Sequence, residues 1–80
     1  MNHDDIKSRA RTTLAKALKV PLDSIADDAS QIQFANWDSL KHMNVVLALE
    51  NEFDLEFDDS ELPTLTSLET IISAIKKRSQ

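Results

Sequence analysis

The 80-residue sequence contains no glycine, no cysteine and no tyrosine, and only two prolines. Without cysteine the chain has neither a disulfide framework nor a thiolate metal site, so nothing in it requires an oxidising compartment. Without glycine it lacks the loops that cradle phosphates in nucleotide-binding proteins, and tight β-hairpins are disfavoured. No apolar run reaches membrane-spanning length, and the start lacks the basic-then-apolar order of a signal peptide. The length leaves room for a single domain over residues 1–80, and the absences predict a cytoplasmic protein without membrane insertion.

Charge is unevenly distributed along the chain. Residues 1–22 carry five basic residues against two acidic ones, residues 23–75 carry twelve acidic residues against Lys41 alone, and residues 76–80 add three basic ones. The formal net charge is −5. An acidic middle of this density repels nucleic acid and anionic lipid, and it favours partners with basic docking surfaces. Solubility is the simpler explanation for the same charge in a small domain.

Apolar residues at helical spacing predict the first and last helices. The first covers about 4–18 and stops before Pro21, because the residue before a proline avoids helical backbone angles. The last is predicted to begin with a capping box, in which Thr66 and Glu69 satisfy each other's backbone donors. A long connection, residues 19–37, separates the first helix from the second. The apolar side chains expected to pin this connection to the core are Val20, Leu22, Ile25, Ile32 and Phe34.

The second helix, predicted over 38–53, has two apolar stripes. The first is the core-facing side that a packed helix requires. Its residues are Val45, Val46, Leu49 and Phe53. The second stripe consists of Leu40, Met43 and Leu47, and its polar neighbours are Asn44, Glu50 and Asn51. An apolar row rimmed by polar residues fits a partner protein, but a neighbouring helix or loop would cover it equally well.

Asp38, Ser39 and Leu40 stand where the second helix is predicted to begin. The simple interpretation makes Asp38 the N-cap and Ser39 the first helical residue. A sharper interpretation is that Ser39 presents a hydroxyl at the positive end of a helix, where free backbone N–H groups suit a phosphate. Ser39 and His42 lie one helical turn apart, as a nucleophile and its base could. No oxyanion-hole glycine or substrate cleft accompanies them, so hydrolysis is not predicted.

No metal site is predicted. His3 and His42 are the only histidines, they lie far apart in sequence, and thiolates are absent. The alternating acidic residues of 54–58 look like the start of a calcium loop, but Asp59 stands where such a loop needs glycine. Loop solvation and helix capping account for these carboxylates.

The run WDSLKHMNVVLALENEF at residues 37–53 is the most specific motif of the sequence. With this run, and with the segments 18–20, 28–30, 53–55, 59–62 and 66–75 around it, the chain resembles the acyl carrier protein family over nearly its whole length. The resemblance implies an all-α fold: a four-helix bundle with a long loop between helices 1 and 2 and a short third helix. It also implies a carrier that has no catalytic activity of its own.

The resemblance further implies a cofactor, partners and site residues. In that family a phosphopantetheinyl transferase moves 4′-phosphopantetheine from coenzyme A to the motif serine, here Ser39, which follows the motif residue Asp38. The arm's thiol then holds acyl groups as thioesters, so a cysteine-free protein can carry out thiol chemistry. An acyl-loading ligase or acyltransferase and downstream enzymes are the other implied partners of a monomeric carrier. The implied partner surface is Leu40, Met43, Asn44, Leu47, Glu50 and Asn51, and the implied acyl pocket is Val46, Leu49, Phe57, Leu62 and Leu65.

Departures from the family pattern indicate a specialised carrier in a lipid or secondary-metabolite pathway. Lys41 stands where members in fatty acid biosynthesis usually have an acidic residue, and Asn44 and Asn51 stand where they tend to have glutamates. Two alternatives stay open: a peptidyl or aminoacyl carrier, which uses the same serine, and an unmodified helical interaction module.

Three positions where the family commonly has glycine are Lys19, Asn36 and Asp54 in this chain. Asn and Asp tolerate the left-handed backbone region better than other non-glycine residues. Lys19 is therefore the position where strain is expected, if its backbone is left-handed.

Overall fold

A computed structural model describes residues 2–79, and its regular structure is helical. The α-helices of this range are α1 (His3–Leu18), α2 (Ser39–Phe53) and α3 (Leu68–Ser79). Three-residue 3₁₀ helices lie at Leu22–Ser24, Gln31–Gln33 and Leu62–Thr64. The all-helical class predicted from the sequence is confirmed. None of the helices in the described range combines the length and the apolarity that a membrane span needs.

The segment between α2 and α3 differs from the short third helix of a four-helix bundle. Here the backbone forms a turn followed by the 3₁₀ helix Leu62–Thr64, so the described residues contain three α-helices. The Glu61 N–H donates to the Asp58 carbonyl at 2.8 Å, and the Thr64 N–H donates to the Glu61 carbonyl at 2.9 Å. These bonds span three residues, as in turns and 3₁₀ helices. Pro63 has no N–H and stands at the start of the 3₁₀ helix, so the turn before it cannot continue through residue 63 as an α-helix.

Helix α1 has a capping residue at each end. The Asn2 side chain accepts a hydrogen bond from the Asp5 N–H at 2.8 Å. At the other end Lys19 adopts a left-handed backbone, with φ 58° and ψ 46°. The Lys19 conformation, two residues before Pro21, therefore ends the helix. A left-handed backbone is thus found at Lys19, as the strain expected there required, and also at Asp54, where φ is 52°.

Asn36, the third glycine-replacing position, is not among the residues with positive φ. Its side-chain amide instead donates to the Leu18 carbonyl at 2.8 Å. This bond satisfies one of the carbonyls that the last turn of α1 leaves unpaired. It also holds the end of α1 beside the start of α2.

The hydrophobic core lies where α1 packs against both α2 and α3. Each of these helices contributes a stripe of buried side chains, as the periodicity predicts. The fully buried large side chains are Ile6, Leu14, Leu18, Leu49, Leu65, Leu68, Ile71, Ile75 and Val45.

Three of the five side chains expected to pin the connection between α1 and α2 to the core do so, and of these Val20 and Phe34 are partly buried against it. Ile25 is buried, but Leu22 and Ile32 are exposed, so their predicted anchoring role is wrong. The anchors that the sequence reasoning missed are Ala29 and Trp37, both buried. Backbone bonds to the start of α3 fix this arrangement, since Gln31 N–H donates to Thr66 O and Leu68 N–H to Ala29 O. The 3₁₀ helix built on these bonds turns Ile32 outward.

The start of α3 is capped one residue later than predicted. The Ser67 hydroxyl accepts from the Thr70 N–H at 3.1 Å, and the Thr70 hydroxyl accepts from the Ser67 N–H at 3.2 Å. The capping box is therefore Ser67–Thr70 and not Thr66–Glu69. Thr66 is not available as the cap because its carbonyl pairs with Gln31.

Candidate functional site at the start of α2

Ser39 is the first residue of α2 and is exposed. The preceding Asp38 is the N-cap, and its carboxylate accepts a hydrogen bond from the Lys41 N–H at 2.9 Å. The N–H groups of Ser39 and Leu40 belong to the first turn, where an α-helix has no internal acceptor. A hydroxyl thus stands beside free amide donors at the positive end of the helix dipole. This combination suits a phosphodiester.

Trp37 and His42 fix the backbone on either side of Ser39. The buried Trp37 indole N–H donates to His42 Nδ1 at 3.1 Å. Because Nδ1 is an acceptor, the ring proton lies on Nε2, which donates to the Leu62 carbonyl at 2.7 Å. Both ring nitrogens of His42 are occupied, so the imidazole is not positioned as a base for Ser39. The pairing of Ser39 and His42 suggested by their spacing is not formed.

The second apolar stripe of α2 faces solvent. Leu40 is 73 % exposed, Met43 45 % and Leu47 59 %. Asn44 and Asn51, beside the stripe, are exposed as well. Of the two arrangements left open by the sequence, the structure has the uncovered stripe. We call Leu40, Met43 and Leu47 the outer stripe.

The acidic residues near the outer stripe are used within the fold. The Glu50 carboxylate accepts a hydrogen bond from the Phe57 N–H at 2.8 Å. The Glu52 carboxylate pairs with the Arg9 guanidinium at 2.8 Å, and Arg9 also lies over the Phe53 ring at 4.6 Å. Glu50 therefore shapes the segment after α2, while Glu52 joins α1 to α2. Glu50, which belongs to the predicted partner surface, thus has a structural bond as well.

The predicted acyl-pocket residues come together on the inner side of α2. Val46, Leu49, Phe57 and Leu65 are buried and belong to the core, and Leu62 is half-buried against it. Phe57, Leu62 and Leu65 come from the segment that follows α2, and the other two come from α2 itself. The protein's own side chains fill this site in the structure.

Two carboxylates have a lowered pKa, and each faces an arginine. Hydrogen bonding to the Lys7 ammonium is the largest cause that lowers the pKa of Asp27, and Arg11 adds to it. Glu61 accepts a hydrogen bond from the Asp58 N–H at 3.0 Å, which lowers the Glu61 pKa most, and Arg78 lowers it further. The Asp27 pair ties α1 to the connection that follows it. The Glu61 pair ties α3 to the segment after α2.

Comparison with known proteins agrees with this geometry. The family described as "Phosphopantetheine attachment site" matches residues 8–75. A protein of Akkermansia muciniphila named "Acyl carrier protein" is 31 % identical over 77 residues, which cover 96 % of each chain.

The chain belongs to the acyl carrier protein family.

Membership confirms the resemblance seen in the sequence. Acyl carrier proteins bear a covalently attached 4′-phosphopantetheine and have no catalytic activity of their own, and both predictions are confirmed at this level. The exposed hydroxyl of Ser39 and the free donors around it fit such an arm. The sequence has two other Asp-Ser pairs: Asp23–Ser24 lies in a 3₁₀ helix of only three residues, and Asp59–Ser60 lies in a turn. Ser39 differs from the serines of such chance Asp-Ser pairs because a long helix begins at it.

Proposed function

We propose that this chain carries acyl groups as thioesters on a 4′-phosphopantetheine arm attached to Ser39. The observation that carries the proposal is the exposed Ser39 hydroxyl at the capped start of α2, within a chain of the acyl carrier protein family. Asp38 holds the first turn of the helix, and the amide groups of Ser39 and Leu40 are the donors that would bind the phosphate of the arm. The arm supplies the thiol that forms the thioester.

Attachment of the arm is a phosphoryl transfer catalysed by a separate enzyme. The Ser39 hydroxyl oxygen attacks the pyrophosphate of coenzyme A at the phosphorus that bears pantetheine. The new P–O bond replaces the bond to the second phosphate, and adenosine 3′,5′-bisphosphate leaves. The serine proton passes to a base of the transferase. Ser39 lies at the edge of the molecule, where that enzyme has access to it.

The decisive experiment measures the intact mass of the apo protein after incubation with coenzyme A, magnesium and a broad-specificity phosphopantetheinyl transferase. Wild type should gain the mass of one arm, and Ser39→Ala should gain none. Ser24→Ala is the matched control, because it removes the other serine that follows a surface aspartate before an apolar residue, and it should be modified like wild type. If wild type stays unmodified, the proposal fails and an unmodified interaction module remains.

We further propose that the outer stripe, with Asn44, Glu50 and Asn51, is the surface where the transferase, a loading ligase or acyltransferase, and downstream enzymes dock. Exposure of three large apolar side chains along α2, the helix that begins at Ser39, supports this. Partners with basic docking surfaces fit the exposed carboxylates after α2. The whole of residues 1–80 forms one monomeric carrier domain in this proposal, and the turn and 3₁₀ helix before α3 take the place of the third helix of a four-helix bundle.

We propose a specialised lipid or secondary-metabolite pathway over general fatty acid biosynthesis. Lys41, Asn44 and Asn51 leave the outward side of α2 without a free carboxylate, which changes electrostatic steering and register during docking. The proposal is tested by substituting the holo protein for the main carrier in reconstituted fatty-acid elongation. Elongation at the full rate would contradict a specialised role. A cytoplasmic location rests on the cysteine-free composition and the need for coenzyme A, and it stays a prediction.

A further inference from the structure

Residues 56–62 lie over the predicted acyl pocket and must move if an acyl chain is to enter it. Val46 and Leu49 on α2 are buried, and so is Phe57, which packs in the same core. Interiors are close-packed, so a cargo chain can occupy this site only by displacing protein atoms. Since α2 is also packed on α1, the segment 56–62 is the element with fewer constraints.

Two hydrogen bonds tie the segment 56–62 to α2. The Glu50 carboxylate accepts from the Phe57 N–H at 2.8 Å, at one end of the segment. The His42 ring donates to the Leu62 carbonyl at 2.7 Å, at the other end. Neither bond reaches the middle of the segment, where Asp58 and Glu61 form a turn.

A third contact comes from Arg78, close to the end of α3. Its Nε donates to the Glu56 carbonyl at 2.7 Å, and its two terminal nitrogens both donate to the Glu61 carboxylate, one of them at 2.9 Å. The guanidinium carbon lies 5.4 Å from the centre of the Phe57 ring. The Asp58 carboxylate is 3.6 Å away. A single side chain thus contacts the backbone, a carboxylate and the buried aromatic ring of the same segment.

These contacts have the geometry that makes arginine pairs strong. A bidentate arginine–carboxylate pair fixes both position and orientation, and the planar group also stacks on an aromatic ring. The Arg78 side chain is 21 % exposed and that of Glu61 is 20 % exposed, so solvent screens the pair less than an ordinary surface pair. By comparison, Asp27, which pairs with Lys7 and Arg11, has a side chain 68 % exposed.

We propose that Arg78 is a positioning residue for cargo: it holds the segment 56–62 closed on α2 and so sets how readily an acyl chain is buried. This inference rests on the proposed carrier function. Burial of the chain requires the open segment, so the apparent affinity of the site for cargo is reduced by the fraction of molecules that are open. Breaking the Arg78 contacts raises that fraction.

A comparison of two cargo lengths on the same protein tests this inference. The transferase loads apo wild type and Arg78→Gln directly from acetyl- or octanoyl-coenzyme A, and Tm is then measured for each acyl form. An acetyl group is too short to fill the pocket, so the acetyl form keeps the segment closed and should lose Tm in the variant, on the order of 4 °C. In the octanoyl form the Arg78 contacts are already broken, so its Tm should change much less.

Two further variants separate cargo positioning from general stability. Arg11→Gln removes another arginine–carboxylate pair far from the segment, and it should lower Tm equally in both acyl forms. Glu61→Gln weakens the Arg78 pair from its other end while keeping an oxygen for the Asp58 N–H, and it should repeat the unequal pattern more weakly. If Arg78→Gln fails to fold, Glu61→Gln decides the matter.

An equal loss of Tm in the acetyl and octanoyl forms of both segment variants would overturn the inference. The intact masses measured before melting keep the two proposals apart. Complete loading of Ser39 with either acyl arm preserves the carrier function even when the Tm values move in parallel. Failure of loading in wild type contradicts the carrier function itself.

Discussion

The two faces of α2 contain similar residues but are held in different ways. On the inner face Leu49 is completely buried, whereas on the outer face Leu47, only two positions earlier, is 59 % exposed. Burial of an apolar side chain stabilises a fold and exposure does not. The apolar character of the outer stripe therefore adds little to folding, which is consistent with the docking role proposed for it. The position of a leucine around the helix axis, and not its hydrophobicity, therefore decides whether it belongs to the core or to the outer stripe.

The largest contrast between the faces is expected from truncating one leucine on each. Leu49→Ala removes buried atoms and leaves a cavity, so the free energy of unfolding should fall by about 2–5 kcal/mol. Leu47→Ala should change it by no more than about 0.5 kcal/mol, as is usual for surface positions. Urea denaturation of both variants measures the difference. Comparable losses in the two variants would show that the outer stripe is part of the core.

The next largest loss of stability is expected from a substitution of His42, whose side chain joins α2 to the connection before it. His42→Ala removes the acceptor of the buried Trp37 indole N–H and the donor to Leu62. A buried donor without a partner costs about 1–3 kcal/mol. The fluorescence of Trp37 should shift in the folded state, and the unfolding midpoint in urea should fall.

Asn44→Ala, two residues further along α2 and exposed, serves as the control for His42→Ala. Its midpoint and its Trp37 emission should match those of wild type. If His42→Ala has the same emission and stability as Asn44→Ala, the hydrogen bonds of His42 to Trp37 and Leu62 do not hold the backbone around Ser39.

A smaller effect is expected from the caps at the helix starts. Asp38→Ala removes the acceptor of the Lys41 N–H and should cost about 1 kcal/mol. Asn2→Ala removes the corresponding cap of α1 at a similar cost. Only the first should also slow arm transfer to Ser39, measured as kcat/KM of the transferase, because it loosens the turn that presents the serine. Equal transfer rates in both variants would show that Asp38 only caps the helix and does not affect arm transfer to Ser39.

The helices and the two stripes of α2 could be predicted because they depend on neighbours within one or two turns. The spacing of Val45, Leu49 and Phe53 already determines which side is buried. Strain at Lys19 was expected on the condition of a left-handed backbone, because the family commonly has glycine there, and the structure meets that condition. The conformation of Lys19 is a property of the local chain.

Features that depend on distant partners could not be predicted in the same way. Ile32 looks like a core anchor by composition, but pairing of the neighbouring Gln31 with Thr66 turns it outward. The same pairing moves the capping box of α3 to Ser67 and Thr70. Local sequence contains no record of these contacts between segments more than thirty residues apart.

The site shows the same division. Ser39 and its cap were visible in the motif, whereas the structural use of Glu50 depends on where Phe57 lies after the chain reverses. An aromatic residue and a histidine flanking the motif were the one signal for the Trp37–His42 bond. Their spacing of five residues across a helix start does not determine whether the rings meet.

The smallest effect on folding, and the sharpest on docking, is expected from Leu40→Glu. Leu40 is 73 % exposed, so the free energy of unfolding should change by no more than about 0.5 kcal/mol. In the proposed function the transferase docks beside Ser39 on the outer stripe, and a carboxylate placed in that apolar contact would lose its hydration without gaining a partner. Its kcat/KM should therefore fall at least tenfold, which corresponds to about 1.4 kcal/mol.

Ile32→Glu is the matched control for Leu40→Glu, because Ile32 is 93 % exposed and lies in the connection outside α2. The same change of an apolar to an acidic side chain there should leave both unfolding and arm transfer unchanged. A parallel fall of kcat/KM in the two variants would point to added negative charge as the cause. A fall confined to Leu40→Glu, with the helical signal intact, would separate the face of α2 that docks from the face that folds.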